Sequence, residues 1–196
     1  ANDFGGQTYV GGSGALRVAA TGALSSGRVN LNSAAQLQIL SGVTFANSIV
    51  ISNASGISGQ GALYMSDATG SATISGDVTV NNSVIAGGVF GSAGGILYVT
   101  GKVTGAAGQV VGVRTGSVVF TNATADSSAD YFAAGGGTTS LGGNNGIPVN
   151  AILDVSSAAA GATFDLAGYS QTVRGLRLDR KSTRLNSSHA NISYAV

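Results

Sequence analysis

Short extended runs divide this chain from end to end, and one strand–turn–strand pattern occurs twice. Residues 22–39 read GALSSGRVNLNSAAQLQI, and residues 161–176 read GATFDLAGYSQTVRGL. Further short runs fall at 16–18, 48–51, 72–74, 78–80, 96–99, 118–120 and 152–155. Many of them alternate apolar and polar residues, the period-two sign of a strand with one buried face. Gly, Asn and Ser punctuate them, as in Asn81-Asn82-Ser83 and Gly142-Gly143-Asn144-Asn145-Gly146. No segment shows a helical period with caps.

Short strands at this spacing admit two architectures, an antiparallel sandwich and a parallel β-helix. The repeated motif and the scarcity of two-residue hairpin turns favour the second. The expected fold is therefore all-β, a right-handed parallel β-helix (β-solenoid), with one coil per roughly 20–30 residues. In such a fold each strand lies about 4.8 Å from its equivalent in the next coil. Inward Val, Leu, Ile and Ala form columns, while Gly and Asn take the positive φ angles at sharp corners.

Composition agrees. Glycine, at 32 residues, is about twice its usual share, and charged residues are only 9%. The chain is nonetheless 43% hydrophobic, more apolar than disordered chains are. Aromatic residues at 6% make a thin conventional core, whereas small residues let coils stack closely. All acids are Asp, and the scarcity of Glu and Lys argues against helices. With no Cys, disulfides and thiolate sites are excluded. The formal charge of +1 argues against a nucleic-acid surface. No apolar run reaches the roughly 18 residues of a membrane helix.

Composition changes at Asp179. The segment 179–196 holds three of the nine Lys and Arg and the single histidine, His189. The run Asp179-Arg-Lys-Ser-Thr-Arg-Leu-Asn-Ser-Ser-His189 resembles a standard short-read sequencing adapter translated in one frame. Ile192 to Val196 continue the same adapter, and Ala190-Asn191 fall at its sample index. Residues 179–196 are expected to be a non-native tail, and residues 1–178 a solenoid fragment of a longer protein. Without the tail the formal charge falls from +1 to −1. The start at Ala1, with neither Met nor a signal peptide, fits the same expectation.

The two motif copies resemble the autotransporter-associated β-strand repeat. The later copy matches its second half through Asp165, Gly168, Gln171-Thr172-Val173 and Leu176, with Leu141-Gly-Gly-Asn-Asn-Gly-Ile-Pro148 before it. The earlier copy carries Ser25 and Ala34 where the repeat has glycine, and Gln38 where it has Asp. Residues 40–115 match only generically. The resemblance implies a parallel β-helix in an exported bacterial surface protein. In a type V autotransporter this would be the passenger region, with an outer-membrane barrel or another anchor elsewhere in the full protein. Implied partners are host, matrix, polysaccharide or self-association contacts, with no nucleic acid. The repeat defines no catalytic residue.

The acids are the natural candidates for chemistry. Outside the tail they are Asp3, Asp67, Asp77, Asp126, Asp130, Asp154 and Asp165. Asp126 and Asp130 are close enough to share a weak cation or to be solvated loop acids. Coil stacking could bring Asp154 and Asp165 together as a carboxylate pair, although Asp165 sits at a repeat position and reads as structural. With no His, Cys or Glu before residue 179, a Ser triad or a zinc site has no base or ligand set. The acidic spacing of an EF-hand and the phosphate-loop motif are absent. No catalytic, cofactor-binding or metal residue is therefore assigned, and the cofactor expectation is none. A polysaccharide-active β-helix with its site outside this fragment is the alternative, as is a phage or surface-layer fibre.

Three smaller features remain. Residues 122–148 read as a long loop protruding from the solenoid or as a decorated binding loop. Tyr9, Tyr64, Tyr98, Tyr131 and Tyr169 are candidates for carbohydrate or protein contacts, or for capping the core and its edges. Asn53-Ala-Ser55, Asn81-Asn-Ser83 and Asn122-Ala-Thr124 match the glycosylation sequon by composition alone.

Overall fold

The apolar residues of each short run enter columns that repeat once per coil. Leu16 pairs with Leu37, Leu37 with Leu63, and Leu63 with Phe90, each one coil further along the chain. The computed structural model describes residues 5–82, 89–121, 127–155, 161–178 and 192–194. All pairings between its strands are parallel. The chain is a parallel β-solenoid of about seven turns, all-β as expected and without an α-helix among the described residues.

Three faces form the prism. Face A stacks β1 (Thr8–Val10), β3 (Val29–Asn32), β6 (Ile49–Ser52), β9 (Val78–Asn82) and β11 (Val103–Gly105). Face B begins with β2 (Ala15–Val18), β4 (Gln36–Ile39) and β7 (Leu63–Met65). It continues through the first halves of β10 (Phe90–Val99) and β12 (Val110–Phe120). It ends with β13 (Tyr131–Ala134), β15 (Ile152–Asp154) and β18 (Gly175–Arg177). Face C stacks β5 (Thr44–Phe45), β8 (Ser71–Ile74), the second halves of β10 and β12, β14 (Thr138–Leu141) and β16 (Thr163–Asp165). β10 and β12 run through the corner between faces B and C, so B and C form one continuous sheet. The chain thus passes A, B, C in each coil.

Inside, the columns are apolar and buried. Val29, Ile49 and Val78 share one column on face A, and Leu31, Ile51 and Val80 another, all with no exposed surface. Each such side chain contributes about 1.5–3 kcal/mol by leaving water. The core also holds Phe90, Phe120 and Phe132, packed edge to face at centroid distances of 5.3 and 5.1 Å.

The corners explain much of the glycine. A Cβ on Gly101 would stand 2.1 Å from the Gly76 carbonyl oxygen, and one on Gly76 would stand 2.1 Å from that of Asn47. Successive coils approach so closely at this edge that the upper residue has no room for a side chain.

One expectation requires correction. Residues 127–148 are not a protruding loop. Ser128 bridges to Thr104 on face A, and β13 and β14 follow on faces B and C as a full coil. Ala129, Phe132, Ala134, Leu141 and Ile147 lie in the core. Polar Ser, Thr and Gly at the outward and corner positions conceal the alternation there, and residues 122–126 lie outside the described residues. The two motif copies, moreover, occupy different faces. QLQI of the earlier copy is β4 on face B, whereas TFD of the later copy is β16 on face C. Both turn their next corner on a left-handed glycine, Gly42 at φ 80° and Gly168 at φ 85°. What repeats is a strand–corner–strand unit, displaced by one face.

After β16, β17 (Gln171–Val173) pairs in parallel with β19 (Ile192–Tyr194). An open strand edge accepts any extended segment through its main chain, so this pairing is independent of where residues 179–196 come from. Of that tail only residues 192–194 are among the described residues.

Candidate functional site

An irregular surface feature lies between β6 and β7. Residues 53–62 leave the coil, make a single 3₁₀ turn at Ile57–Gly59, and return. Five residues in this strap take positive φ angles: Asn53, Gly56, Ser58, Gly59 and Gly61. The neck is tight, since a Cβ on Gly56 would stand 2.0 Å from the Gly61 carbonyl oxygen.

The strap lies across the outer surface of face B. Its successive carbonyls are held by side chains from other coils. Arg114 Nε donates to Gly59 at 3.0 Å, Thr115 Oγ1 to Gln60 at 3.1 Å, and Gln36 Nε2 to Gly61 at 2.9 Å. Gln36 and Tyr64 alternate with core residues and therefore point outward, yet Gln36 has no exposed surface and Tyr64 only 8%. Burial pushes the Tyr64 phenol above its ordinary value. Between Tyr64 and Thr115, Gly91 provides the floor: its Cβ would stand 2.1 Å from the Gln60 carbonyl oxygen and 3.3 Å from Tyr64 Cδ2. The strap ties together four consecutive coils. It was legible in the sequence only as a Gly- and Ser-rich gap.

The acids are placed apart, and each described one is committed. Asp67 accepts the Ser41 amide at 2.7 Å, Asp77 the Lys102 amide at 3.2 Å, and Asp130 the Gly108 amide at 2.6 Å. These three bonds join neighbouring coils. Asp165 accepts the Ala167 amide at 2.9 Å, two residues on, and so shapes its own corner, the structural role its repeat position suggested. Asp154 faces Arg177 of the next coil at 3.5 Å. Stacking does not pair Asp154 with Asp165, because the first is on face B and the second on face C. Asp3 and Asp126 lie outside the described residues, so the Asp126–Asp130 pair is described only through Asp130. Among the described residues no group of three metal-ligating side chains occurs. No helix there is long and apolar enough to cross a membrane.

The tyrosines divide. Tyr9, Tyr131 and Tyr169 are exposed at 69%, 36% and 39%, on different coils. Tyr98 is half-buried on face C and Tyr64 is under the strap. Of the sequons, Asn53 and Asn81 are exposed, and Asn122 lies outside the described residues. A cleft of about 330 Å³ opens between residues 21–26 and β5, lined by Leu24, Ser25, Phe45 and Asn47. No titratable side chain lines it. Compared with family models, with curated proteins and with solved structures, the chain has no match.

Proposed function

We propose that residues 1–178 are a stretch of structural and adhesive scaffold, the passenger-type region of an exported bacterial surface protein, with no catalysis. The commitment of the aspartates supports this reading best. A hydrolytic β-helix needs free carboxylates converging on one groove. Here Asp67, Asp77 and Asp130 each hold a backbone amide of an adjacent coil. The scaffold works mechanically: stacked coils project an extended polar surface for contact with host, matrix or polysaccharide, or with other copies of itself. An outer-membrane barrel or another anchor elsewhere would fix it to the cell. Residues 179–196 take no part.

Display tests this reading. Residues 1–178 are placed behind a signal peptide and ahead of an outer-membrane barrel. The fusion is expected at the bacterial surface as a protease-resistant segment that increases cell aggregation or retention on matrix- or polysaccharide-coated surfaces. A displayed segment that does neither overturns the adhesive role. Release of sugars from a polysaccharide overturns the non-catalytic one.

A further inference from the structure

Only one asparagine in the 196 residues is followed by glycine: Asn145, before Gly146. This pair is the most reactive sequence for spontaneous loss of a side-chain amide, because a residue without Cβ leaves its nitrogen unobstructed. The solenoid gives neither residue an easy replacement. A Cβ on Gly146 would stand 2.4 Å from the Phe120 carbonyl oxygen of the preceding coil. Asn145 sits at a left-handed φ of 52°, which Asn tolerates better than most residues. Its Oδ1 accepts the Thr172 amide of β17 at 2.8 Å, and its own amide donates to the Ser170 carbonyl at 2.8 Å. Asn144 adds a third clasp, its Oδ1 accepting the Ser170 amide at 3.0 Å.

We propose that Asn145 is a self-modification site gated by the fold. The Gly146 nitrogen attacks the Asn145 side-chain carbonyl carbon and forms a new C–N bond. The bond to the side-chain nitrogen breaks, and ammonia leaves with the proton taken from Gly146. Water opens the resulting succinimide at either carbonyl, giving aspartate or isoaspartate. Reaction requires the side chain to leave Thr172 and the backbone to leave its corner conformation, so the stacked coil suppresses it. Isoaspartate reroutes the main chain through the side-chain carbon and removes the acceptor from Thr172. The modification therefore releases β17 from the coil beneath it once the clasp has opened.

The test is ageing of the full chain in mildly alkaline buffer, native and in urea, followed by peptide mass spectrometry and isoaspartate detection. Asn47, which donates to the Gly27 carbonyl at 2.7 Å and precedes Ser48, serves as the internal reference. In urea, Asn145 is expected to convert before every other asparagine. In the native chain its conversion is expected to be at least about tenfold slower, as local opening demands. Thr172→Pro removes the clasping donor and is expected to accelerate Asn145 without accelerating Asn47. Equal native and unfolded rates at Asn145 overturn the proposal. So does a folded Thr172→Pro chain in which Asn145 converts no faster. If that variant does not fold, the native-to-urea ratio decides alone.

Discussion

The side-chain amide of Gln171 pairs with both backbone groups of Ile147, in the manner of a strand. The Ile147 amide donates to Oε1 at 3.1 Å, and Nε2 donates to the Ile147 carbonyl at 3.1 Å. Gln171 is 2% exposed and Ile147 1%. Residues 142–150 form no strand, so this side chain supplies the ladder that the coil lacks. Gln171→Leu leaves two buried backbone groups unpaired and is expected to cost about 2–3 kcal/mol. Urea denaturation checks it, with the midpoint falling at unchanged slope. A loss near zero would show that the pairing is dispensable.

Gly91 is the floor beneath the strap. Gly91→Ala places a methyl group against the Gln60 carbonyl, and overpacking of this kind costs about 1–3 kcal/mol. The strap is expected to lift while the coils stay stacked. Hydrogen exchange reads this directly: faster exchange at residues 55–61, with protection retained in β7 and β10. Unchanged exchange in the strap contradicts the contact.

Tyr64 makes stability depend on alkaline pH. Burial raises its folded-state value above the ordinary 10.0, so the unfolded chain loses its proton first as pH rises. The contribution is constant below the unfolded value and is lost as pH climbs through the folded one. Tyr64→Phe removes this term. The fall in denaturation midpoint between about pH 9 and about pH 11 should be smaller in the variant. An identical fall in both proteins refutes the assignment to Tyr64.

Asp67 and Arg177 separate two kinds of polar contact. The Asp67 carboxylate accepts a backbone amide of the adjacent coil, so Asp67→Ala is expected to cost about 1 kcal/mol. Asp67→Asn keeps an acceptor oxygen and should cost less. Arg177 is 68% exposed in its pair with Asp154, so Arg177→Ala should cost under about 0.5 kcal/mol. Thermal melts of the three variants give the order.

Phe120 joins two aromatic neighbours in the core. Phe120→Ala leaves a cavity between Phe90 and Phe132 and is expected to cost about 3–5 kcal/mol. Calorimetry measures it, and a cost below about 1 kcal/mol would mean that the coils close over the gap.

Much of the fold was legible because period-two alternation is a local property. The runs at 29–31, 37–39, 72–74 and 96–99 all lie in strands that the sequence pattern marks. Strands β13 and β14 were hidden because outward Thr and Ser and the corner glycines resemble a loop. The acids could be listed but not placed. Asp154 and Asp165 are close in sequence, yet β15 lies on face B and β16 on face C.

Alternation and small corner residues determined, from sequence alone, that this chain forms short strands with one buried face, stacked in coils of roughly 20–30 residues. Which strand lies on which was decided only in three dimensions. Coil length varies: the coil from Leu16 to Leu37 is shorter than the one from Leu63 to Phe90. The face that a motif reaches depends on every coil before it, which is why the two copies stand on faces B and C. The strap, the Gln171–Ile147 pairing and the Asn145 clasp arise the same way. Each joins residues brought together by stacking, and no local pattern encodes such a meeting.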